Sequence, residues 1–515
     1  MDNSGSPKNK KTPCIAVFGT GSEVGKSVVA TALCRYFADK GISVAPFKAQ
    51  NMSNNSGVTP EGLEMGRAQI VQAEAARISP CVDMNPVLLK PTDDAGAQVV
   101  LLGKVLENST AAEYHKKKDQ LFSTACDALD RLRKKHDLIV MEGAGSCAEV
   151  NLMPHDIVNF RMAEYADASV ILVADIHKGG VFAQIIGTLE CLAQEQRDRI
   201  AGFIINRFRG DMRLFEEGVR WIERKTQKKV FGVLPYYTRF RIEAEDSVVI
   251  ENPVKVSPEK DSVPAVAVIR VPHISNFTDF DPLSDEKNLK VHFIESVQEL
   301  SEFKAVILPG SKNTRFDLNW LNITGWSEKI KAYAEKGGHI LGICGGYQMM
   351  GHYVHDPEGL EGSPGTTEGL SLLPVKTVLR SPKTTTLTRF SWKDSTGAGY
   401  EIHSGQTERL KGDALFTVTE RNNMPCQNCE DGCASDDLRI MGTYIHGLFD
   451  SPEIRDRWLK TIPVGLPHRG AAIPGVPHPS AAKDKVYTLL AEHFKAHINI
   501  KQIEETLGIE KKALK

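Results

Sequence analysis

The chain has 515 residues, of which 41% are hydrophobic and 25% charged, and its formal net charge is −2. This balance is typical of a soluble globular protein and favours neither a nucleic acid nor a membrane as partner. The length predicts two to four domains, and no apolar run approaches the ~18 residues of a membrane span. Met1–Lys11 lacks the apolar centre of a signal peptide, and ten cysteines are too few for a disulfide framework. We therefore expect a cytoplasmic protein.

The first half of the chain alternates short β-branched runs with helical patterns. Strands buried on both faces read as continuous apolar runs, so this alternation predicts a doubly wound, mostly parallel α/β domain. We assign residues 1–12 to a disordered tail and residues 13–250 to this domain. The predicted strands are Ile15–Thr20, Val44–Lys48, Leu138–Glu142, Ser169–Asp175, Gly202–Asn206 and Val230–Leu234.

The first predicted strand leads directly into a glycine-rich loop that includes Gly19, Thr20, Gly25, Lys26 and Ser27. Backbone N–H groups in such a loop, and the N-terminus of the following helix, bind phosphate oxygens. Lys26 would reach the outer phosphates and the Ser27 hydroxyl would hold Mg²⁺. A strict P-loop has glycine where this chain has Thr20, so the loop is a variant. We predict that these five residues bind a nucleotide.

Polar residues end three further predicted strands: Glu142, Asp175 (close to Lys178) and Asn206. Open α/β sheets hold their ligands at this edge. We predict that Glu142 is a Mg²⁺ ligand together with Ser27. Any one of these residues alone is equally explained as a polar cap on its strand, but several along one edge favour a ligand site.

A second α/β domain follows a proline-containing linker. The predicted boundaries are 251–264 for the linker, 265–455 for the second domain and 456–482 for a Pro-rich connection, with a C-terminal helical tail at 483–515. The predicted strands are Ala265–Arg270, His292–Ile294, Ala305–Pro309 and Ile340–Cys344. In the tail, helical spacing of apolar residues predicts a helix docked on the body. These residues are Val486, Leu489, Leu490 and Phe494.

An apolar run of the second domain ends on Cys344, and two glycines and a helical pattern follow at once. This order predicts a thiol on a sharp strand-to-helix turn, where a helix N-terminus stabilises a thiolate. His446 ends another short apolar run, so neighbouring strands would bring an imidazole beside the thiol. The alternative is a buried structural cysteine, which the glycines disfavour. We predict that Cys344 and His446 are catalytic.

A polar insert before the histidine strand contains Cys426, Cys429 and Cys433. Their spacing occurs in metal sites, but no fourth ligand is evident. We favour an incidental thiol cluster and leave metal binding open.

Several long blocks of the sequence resemble cobyric acid synthases, between residues 13 and 455. They include Ala45-Pro-Phe-Lys-Ala-Gln-Asn-Met-Ser, Met84-Asn-Pro-Val-Leu-Leu-Lys-Pro, Glu142-Gly-Ala-Gly-Ser, Ile274-Ser-Asn-Phe-Thr-Asp-Phe-Asp-Pro-Leu, Leu308-Pro-Gly-Ser-Lys-Asn-Thr and Gly442-Thr-Tyr-Ile-His-Gly-Leu-Phe-Asp.

The resemblance implies a P-loop NTPase-like ATP domain of the dethiobiotin synthetase type, followed by a class I-like glutamine amidotransferase domain. It implies amidation of carboxylates b, d, e and g of adenosylcobyrinic acid a,c-diamide, with ATP, Mg²⁺ and glutamine. The product would be adenosylcobyric acid, in cobalamin biosynthesis, and no tightly bound prosthetic group is expected. By resemblance Asn206 reads adenine. Lys48 is placed to neutralise the transferring phosphoryl group, with a surface lysine as the alternative.

In the reaction that the resemblance implies, Cys344 would attack the glutamine amide and His446 would pass a proton to the leaving ammonia. The N–H of Gly345 and one N–H from Gly310 or Ser311 are predicted oxyanion donors.

Ordinary class I amidotransferases carry a glutamate two residues after the histidine, where this chain has Leu448. Glu401 and His403 are candidates to orient the imidazole of His446 instead, and the sequence does not decide between them.

Two other functions are considered. A sister ligase, cobyrinic acid a,c-diamide synthase, shares both domains, although the Lys-Ala-Gln-Asn-Met block argues against it by resemblance. The second is a switch ATPase whose rear domain only binds a partner, and the Cys344–His446 pair opposes it because a binding module gains nothing from a reactive thiol.

Overall fold

The computed structural model describes residues 12–92, 96–237, 243, 263–463 and 479–508. The predicted tail, linker and Pro-rich connection therefore lie largely outside the described residues. A helix at Pro452–Thr461 continues through the predicted end of the second domain at residue 455. Among the described residues no helix is both long and apolar enough to cross a membrane.

The front domain is a layered α/β structure. Its strands are β1 (Cys14–Gly19), β2 (Val44–Phe47), β3 (Gln50–Met52), β4 (Ser56–Val58), β5 (Glu64–Gly66), β6 (Val87–Pro91), β7 (Gly96–Leu101), β8 (Lys104–Thr110), β9 (Leu138–Glu142), β10 (Ser169–Asp175), β11 (Ile200–Phe208) and β12 (Lys229–Pro235). Its helices are α1 (Lys26–Asp39), α2 (Arg67–Ala75), α3 (Ala111–Arg133), α4 (Phe160–Ala166), α5 (Val181–Cys191), α6 (Gln194–Arg199) and α7 (Glu216–Thr226).

The main sheet is parallel and has the strand order β12-β11-β10-β1-β9-β2. Successive residues of β1 point to opposite faces, as strand geometry requires. Ile15 and Val17 pack in one buried cluster, and Ala16 and Phe18 pack in another. Because both faces are covered, the strands are apolar along most of their length, and all six predicted strands are confirmed to within two residues at each end.

Between β2 and β9 the chain leaves the main sheet. It builds a four-stranded sheet of order β3-β6-β7-β8 and a two-stranded hairpin of β4 and β5. These strands are not predictable from the sequence, because three residues such as Ser56–Val58 are too few to show a period-two pattern. The hairpin packs against the rear domain.

The rear domain combines a parallel sheet with a larger, mostly antiparallel one. Its strands are β13 (Ala265–Ile269), β14 (Ile274–Ser275), β15 (Lys290–Ile294), β16 (Ala305–Leu308), β17 (Gly310–Ser311), β18 (Ile340–Ile343), β19 (Tyr353–Asp356), β20 (Gly365–Glu368), β21 (Val375–Trp392), β22 (Ser395–Arg409), β23 (Phe416–Arg421), β24 (Met424–Asp431), β25 (Cys433–Ala434) and β26 (Ile440–Thr443). Its helices are α8 (Asp281–Ser284), α9 (Thr314–Thr324), α10 (Trp326–Glu335), α11 (Gly345–Met349) and α12 (Pro452–Thr461).

The first rear sheet has the order β15-β13-β16-β18-β26-β25 and is parallel except for β25. The second sheet is built around the long hairpin of β21 and β22. The four strands predicted in this half of the chain belong to the first sheet, and the antiparallel sheet is an addition that the sequence analysis lacks.

Two C-terminal helices, α13 (Pro479–His497) and α14 (Ile500–Leu507), dock on the front domain. Leu490 and Phe494 are buried against α1, as predicted. Leu489 is 36% exposed, so its predicted burial is wrong, and Tyr487 is buried instead. The Arg35 guanidinium on α1 binds the Asp484 carboxylate and the Thr488 hydroxyl, which fixes the helix to the front domain.

Candidate active sites

Cys344 lies on a strained turn between β18 and α11. Its φ of 52° and ψ of −107° fall where side-chain-bearing residues are rarely found, and Gly345 begins the helix directly after it. The thiol is buried and approaches the carbonyl oxygen of Ile402 at 3.6 Å. This geometry agrees with the predicted strand-to-helix turn.

His446 is brought to Cys344 by adjacent parallel strands. Ile343 of β18 is in register with Thr443 of β26, and the Cys344 N–H donates to the Thr443 carbonyl at 2.8 Å. The Cys344 sulfur lies close enough to the His446 imidazole to raise the pKa of that imidazole. The thiol and the imidazole therefore occupy one buried pocket.

Asp279 supplies the carboxylate that the sequence analysis did not identify. Its Oδ2 accepts a hydrogen bond from His446 Nδ1 at 2.7 Å, and its Oδ1 accepts one from the Gly447 N–H at 2.9 Å. Leu448, at the usual glutamate position, is buried and apolar. The sequence gives only an indirect signal: Asp279 stands within the Phe-Thr-Asp-Phe block that carries the family resemblance, but the block does not identify His446 as its partner.

Glu401 and His403, the two candidates for orienting the His446 imidazole, have other partners in the structure. The Glu401 carboxylate accepts from the Thr388 hydroxyl at 2.7 Å and from Arg421 Nε at 3.1 Å. His403 stacks on Tyr444 and its Nδ1 contacts the Gly405 carbonyl. Neither has a hydrogen bond to the imidazole of His446 among the described contacts, and Asp279 takes that position.

The electrostatics of this pocket stabilise an imidazolium. Burial lowers the pKa of His446. The Asp279 carboxylate and the Cys344 sulfur raise it by more than burial lowers it, and the resulting pKa is about 10. An imidazolium between a carboxylate and a sulfur is the charge arrangement that a transferred thiol proton produces.

Asp279→Asn is expected to lower kcat for glutamine hydrolysis by about 10³-fold, because the imidazole loses its orienting carboxylate. The pKa of His446 falls with it, so the alkaline limb of the kcat/KM profile moves to lower pH. Glutaminase assays between pH 6 and 11 measure both effects. Glu401→Gln is the matched control, and an equal loss in that variant would contradict the role given to Asp279.

The predicted oxyanion residues surround the same pocket. Gly310 and Ser311 form β17, and a Cβ on Gly310 would lie 2.9 Å from His446 Cε1. A Cβ on Gly345 would lie 2.7 Å from the Ser311 nitrogen. Both contacts are closer than a real Cβ tolerates, so glycine is required at each position. Oxyanion stabilisation by these residues remains a prediction.

Gln348 is a pocket residue that the sequence analysis missed. It is buried, its N–H bonds to the Cys344 carbonyl one helical turn away, and its Nε2 lies 3.4 Å from the Tyr444 hydroxyl. Its Oε1 has no hydrogen-bond partner within the described part of the chain. A buried acceptor without a donor costs free energy that a bound ligand would recover.

The phosphate loop lies at the carboxyl edge of the front sheet. Gly19 ends β1, the Thr20 N–H donates to the Val173 carbonyl, and Gly25 has a φ of +99° that favours glycine. Lys26 is 7% exposed, and its Nζ donates to the carbonyls of Gly21 at 2.9 Å and Gly145 at 2.8 Å. The ammonium thus lies across the mouth of the loop.

Glu142 is the centre of a buried polar cluster beside this loop. Its Oε1 accepts from Ser27 Oγ at 2.9 Å and from Lys48 Nζ at 3.0 Å, and its Oε2 accepts from Gln72 Nε2. Lys48 is therefore buried, which contradicts the surface alternative. A hydroxyl and a carboxylate are the hard oxygen donors that Mg²⁺ prefers, so Ser27 and Glu142 fit such an ion.

The other strand-end residues hold the loops together. Asn206 Nδ2 donates to the Val24 carbonyl of the phosphate loop at 2.8 Å. The Asp175 carboxylate accepts from the His177 N–H and from Arg207 Nη1. Lys178 is exposed and pairs with Glu23. Adenine reading by Asn206 remains a prediction.

The three cysteines of the insert do not form one cluster. Cys426 and Cys429 are joined in a disulfide, while Cys433 is buried and free. Among the described residues there is no group of three or more His, Cys, Asp or Glu side chains suited to a metal ion.

Comparison with known proteins agrees with this geometry. The CobQ/CobB/MinD/ParA nucleotide binding domain matches residues 15–249, and the CobB/CobQ-like glutamine amidotransferase domain matches residues 265–454. A cobyric acid synthase of Chlorobium phaeobacteroides (strain BS1) is 51% identical over 500 residues, which cover 96% of this chain and 99% of the relative. A cobyric acid synthase of Chlorobaculum tepidum is 48% identical over 507 residues, which cover 97% and 99%. The chain therefore belongs to the cobyric acid synthase family.

Proposed function

We propose that this chain amidates carboxylates b, d, e and g of adenosylcobyrinic acid a,c-diamide in successive steps, using ATP and glutamine. The product is adenosylcobyric acid, an intermediate of cobalamin biosynthesis. The observation that carries the proposal is the presence of two complementary sites in one chain, the Cys344–His446–Asp279 pocket and the Lys26–Ser27–Glu142 cluster. The first suits ammonia release and the second suits carboxylate activation.

The front domain activates the substrate acid. A carboxylate does not condense with ammonia, because its leaving group would be an oxide; transfer of the γ-phosphoryl group of ATP to it gives an acyl phosphate with a good leaving group. Lys26 and Lys48 neutralise the phosphoryl oxygens, and catalysis consists of positioning and charge stabilisation. Ser27 and Glu142 would hold Mg²⁺, which supplies charge neutralisation at the phosphates when bound.

The rear domain releases ammonia from glutamine. Gln348 Oε1 accepts a hydrogen bond from the substrate, and Cys344 Sγ attacks the side-chain amide carbon. The thiol proton passes to His446 Nε2 and then to the departing nitrogen, which leaves as ammonia. N–H groups of Gly345 and of Gly310–Ser311 stabilise the oxyanion. Water then cleaves the thioester and gives glutamate.

The two half-reactions meet at the acyl phosphate. Neutral ammonia attacks its carbonyl carbon, the amide bond forms and inorganic phosphate leaves. The chain needs three small molecules for each amide, the corrinoid, ATP and glutamine. This requirement fits the cytoplasmic location expected from the sequence.

Mass spectrometry of the products tests this function directly. The full chain is incubated with the adenosylated a,c-diamide, ATP, Mg²⁺ and glutamine, and four successive mass decreases of about 1 Da per amide are expected, since –OH is replaced by –NH₂. Products from cobyrinic acid but not from the a,c-diamide would favour the sister ligase. ATP hydrolysis without any amide product would favour the switch ATPase.

A further inference from the structure

Asn276 of the rear domain binds the backbone of Ser56 in the front domain. Its Nδ2 donates to the Ser56 carbonyl at 3.0 Å, and its Oδ1 accepts from the Ser56 N–H at 3.4 Å. Both residues are buried, and beside them the Thr278 hydroxyl donates to Asn55 Oδ1 at 3.2 Å. The Asn276 amide thus forms hydrogen bonds with both the N–H and the C=O of Ser56 across the domain interface. These are the two backbone groups that a neighbouring strand would otherwise pair with.

The same side chain contacts the groups that hold the catalytic imidazole. Asn276 Nδ2 also donates to the Tyr400 hydroxyl at 2.9 Å, and the Tyr400 ring stacks on His446 with centroids 5.4 Å apart. Tyr400 and His446 exchange two backbone hydrogen bonds. The Asn276 carbonyl accepts from the Asp279 N–H at 3.0 Å, so both supports of His446 are joined to Asn276.

On the front side, the contacts continue to the phosphate cluster. Arg67 is the first residue of α2, and its N–H donates to the Asn55 carbonyl at 3.1 Å. Five residues further along α2, Gln72 donates to Glu142, the carboxylate that Ser27 and Lys48 also bind. A single short helix and its first hydrogen bond therefore separate the phosphate cluster from the segment that Asn276 holds.

We propose that Asn276 is a positioning residue that orients Asp279 and His446 according to the docking of the Asn55–Ser56 segment, and so makes glutamine hydrolysis depend on the front domain. Displacement of Gln72 when ATP and the acid occupy the front site moves α2, and the shift reaches His446 through Ser56, Asn276 and Asp279. Ammonia is then released when an acyl phosphate is present to receive it. This inference rests on the proposed function.

The test compares Asn276→Gly with wild type in the full chain. Asn276 has a φ of 51°, so glycine keeps the backbone conformation and removes only the amide. Asn276→Asp keeps the shape but replaces the donor by an acceptor. The matched control is Asn108→Ala, which removes a cross-domain hydrogen bond to the Leu360 carbonyl. Glutaminase kcat and KM are measured with and without ATP plus the corrinoid a,c-diamide, and amidation is measured with ammonium chloride.

In wild type and Asn108→Ala, ATP plus the corrinoid should raise glutaminase kcat about tenfold or more. In Asn276→Gly and Asn276→Asp, the rise in glutaminase kcat with ATP plus the corrinoid should fall below about twofold. The KM for glutamine should change less than about threefold, because the Asn276 amide orients the catalytic residues and does not contact glutamine. Amidation with ammonia should persist, which also shows that the variants are folded.

The inference would be overturned by an Asn276 variant with wild-type stimulation, or by a wild-type chain whose glutaminase ignores ATP and the corrinoid. Loss of ammonia-driven amidation in Asn276→Gly would also contradict it, because the front site would then depend on Asn276. Failure of the proposed function is distinguishable, because wild type itself would then make no amide with either nitrogen donor.

Discussion

Cys344→Ala is expected to lower glutamine-dependent amidation by about 10⁴-fold or more while ammonia-dependent amidation stays within about twofold of wild type. The reason is the division of the chemistry between two sites. In the proposed mechanism, the thiol on the strained turn beside His446 is needed only to release ammonia from glutamine. Amide formation from ammonium chloride and from glutamine, each measured with ATP and the corrinoid, separates the two activities.

A matched variant shows whether the effect belongs to this thiol. Cys433 is also a buried free cysteine of the rear domain, and its Sγ contacts only the Lys411 carbonyl among the described hydrogen bonds. Cys433→Ala should keep glutamine-dependent amidation, and an electrophilic glutamine analogue should still label it at Cys344. Loss of both activities in folded Cys344→Ala would place Cys344 in the scaffold and not in the chemistry.

The positions of the Cys344 thiol and the His446 imidazole on adjacent strands were predictable because each ends an apolar run whose local pattern is visible in the sequence. Asp279 was not, because its contact with His446 joins residues 167 positions apart and comes from a short 3₁₀ turn, Phe277–Phe280. No periodic pattern marks such a turn, and the family glutamate position directed attention to Leu448. A carboxylate that reaches the imidazole from another element is recognised by geometry alone.

The phosphate site likewise contains residues whose positions the sequence pattern predicts and one whose position it does not. Lys26, Ser27 and Glu142 were predictable because they follow or end strands of one parallel sheet, where carboxyl ends meet. Gln72 was not, since it lies on α2, a mostly buried helix that mixes apolar residues with glutamines and does not end a strand. The short front-domain strands between β2 and β9 also could not be predicted from the sequence. The contact between Ser56, which lies on one of these strands, and Asn276 could therefore not be predicted either.

Lys26→Ala is expected to lower amidation with either nitrogen donor by about 10⁴-fold, the size of effect that a cation on the transferring phosphoryl group has in phosphoryl-transfer enzymes. Lys26 lies across the phosphate loop, held by the Gly21 and Gly145 carbonyls, and is positioned to meet the outer phosphates. Without its charge the carboxylate is not activated, and the source of the nitrogen then makes no difference. Amide formation with glutamine and with ammonium chloride, at saturating ATP, is the measurement.

The rear site provides an internal control for this variant, since basal glutaminase activity measured without ATP does not involve Lys26 and should persist. Lys40→Ala is the matched substitution, because Lys40 caps the same helix and pairs with Glu504 at the surface, where an ion pair contributes little. It should amidate at the wild-type rate with both donors. Full ammonia-driven amidation by Lys26→Ala would mean that the acid is activated somewhere other than the glycine-rich loop. Loss of basal glutaminase as well would mean that the substitution disturbs the whole chain, and the separation of the two sites would then be wrong.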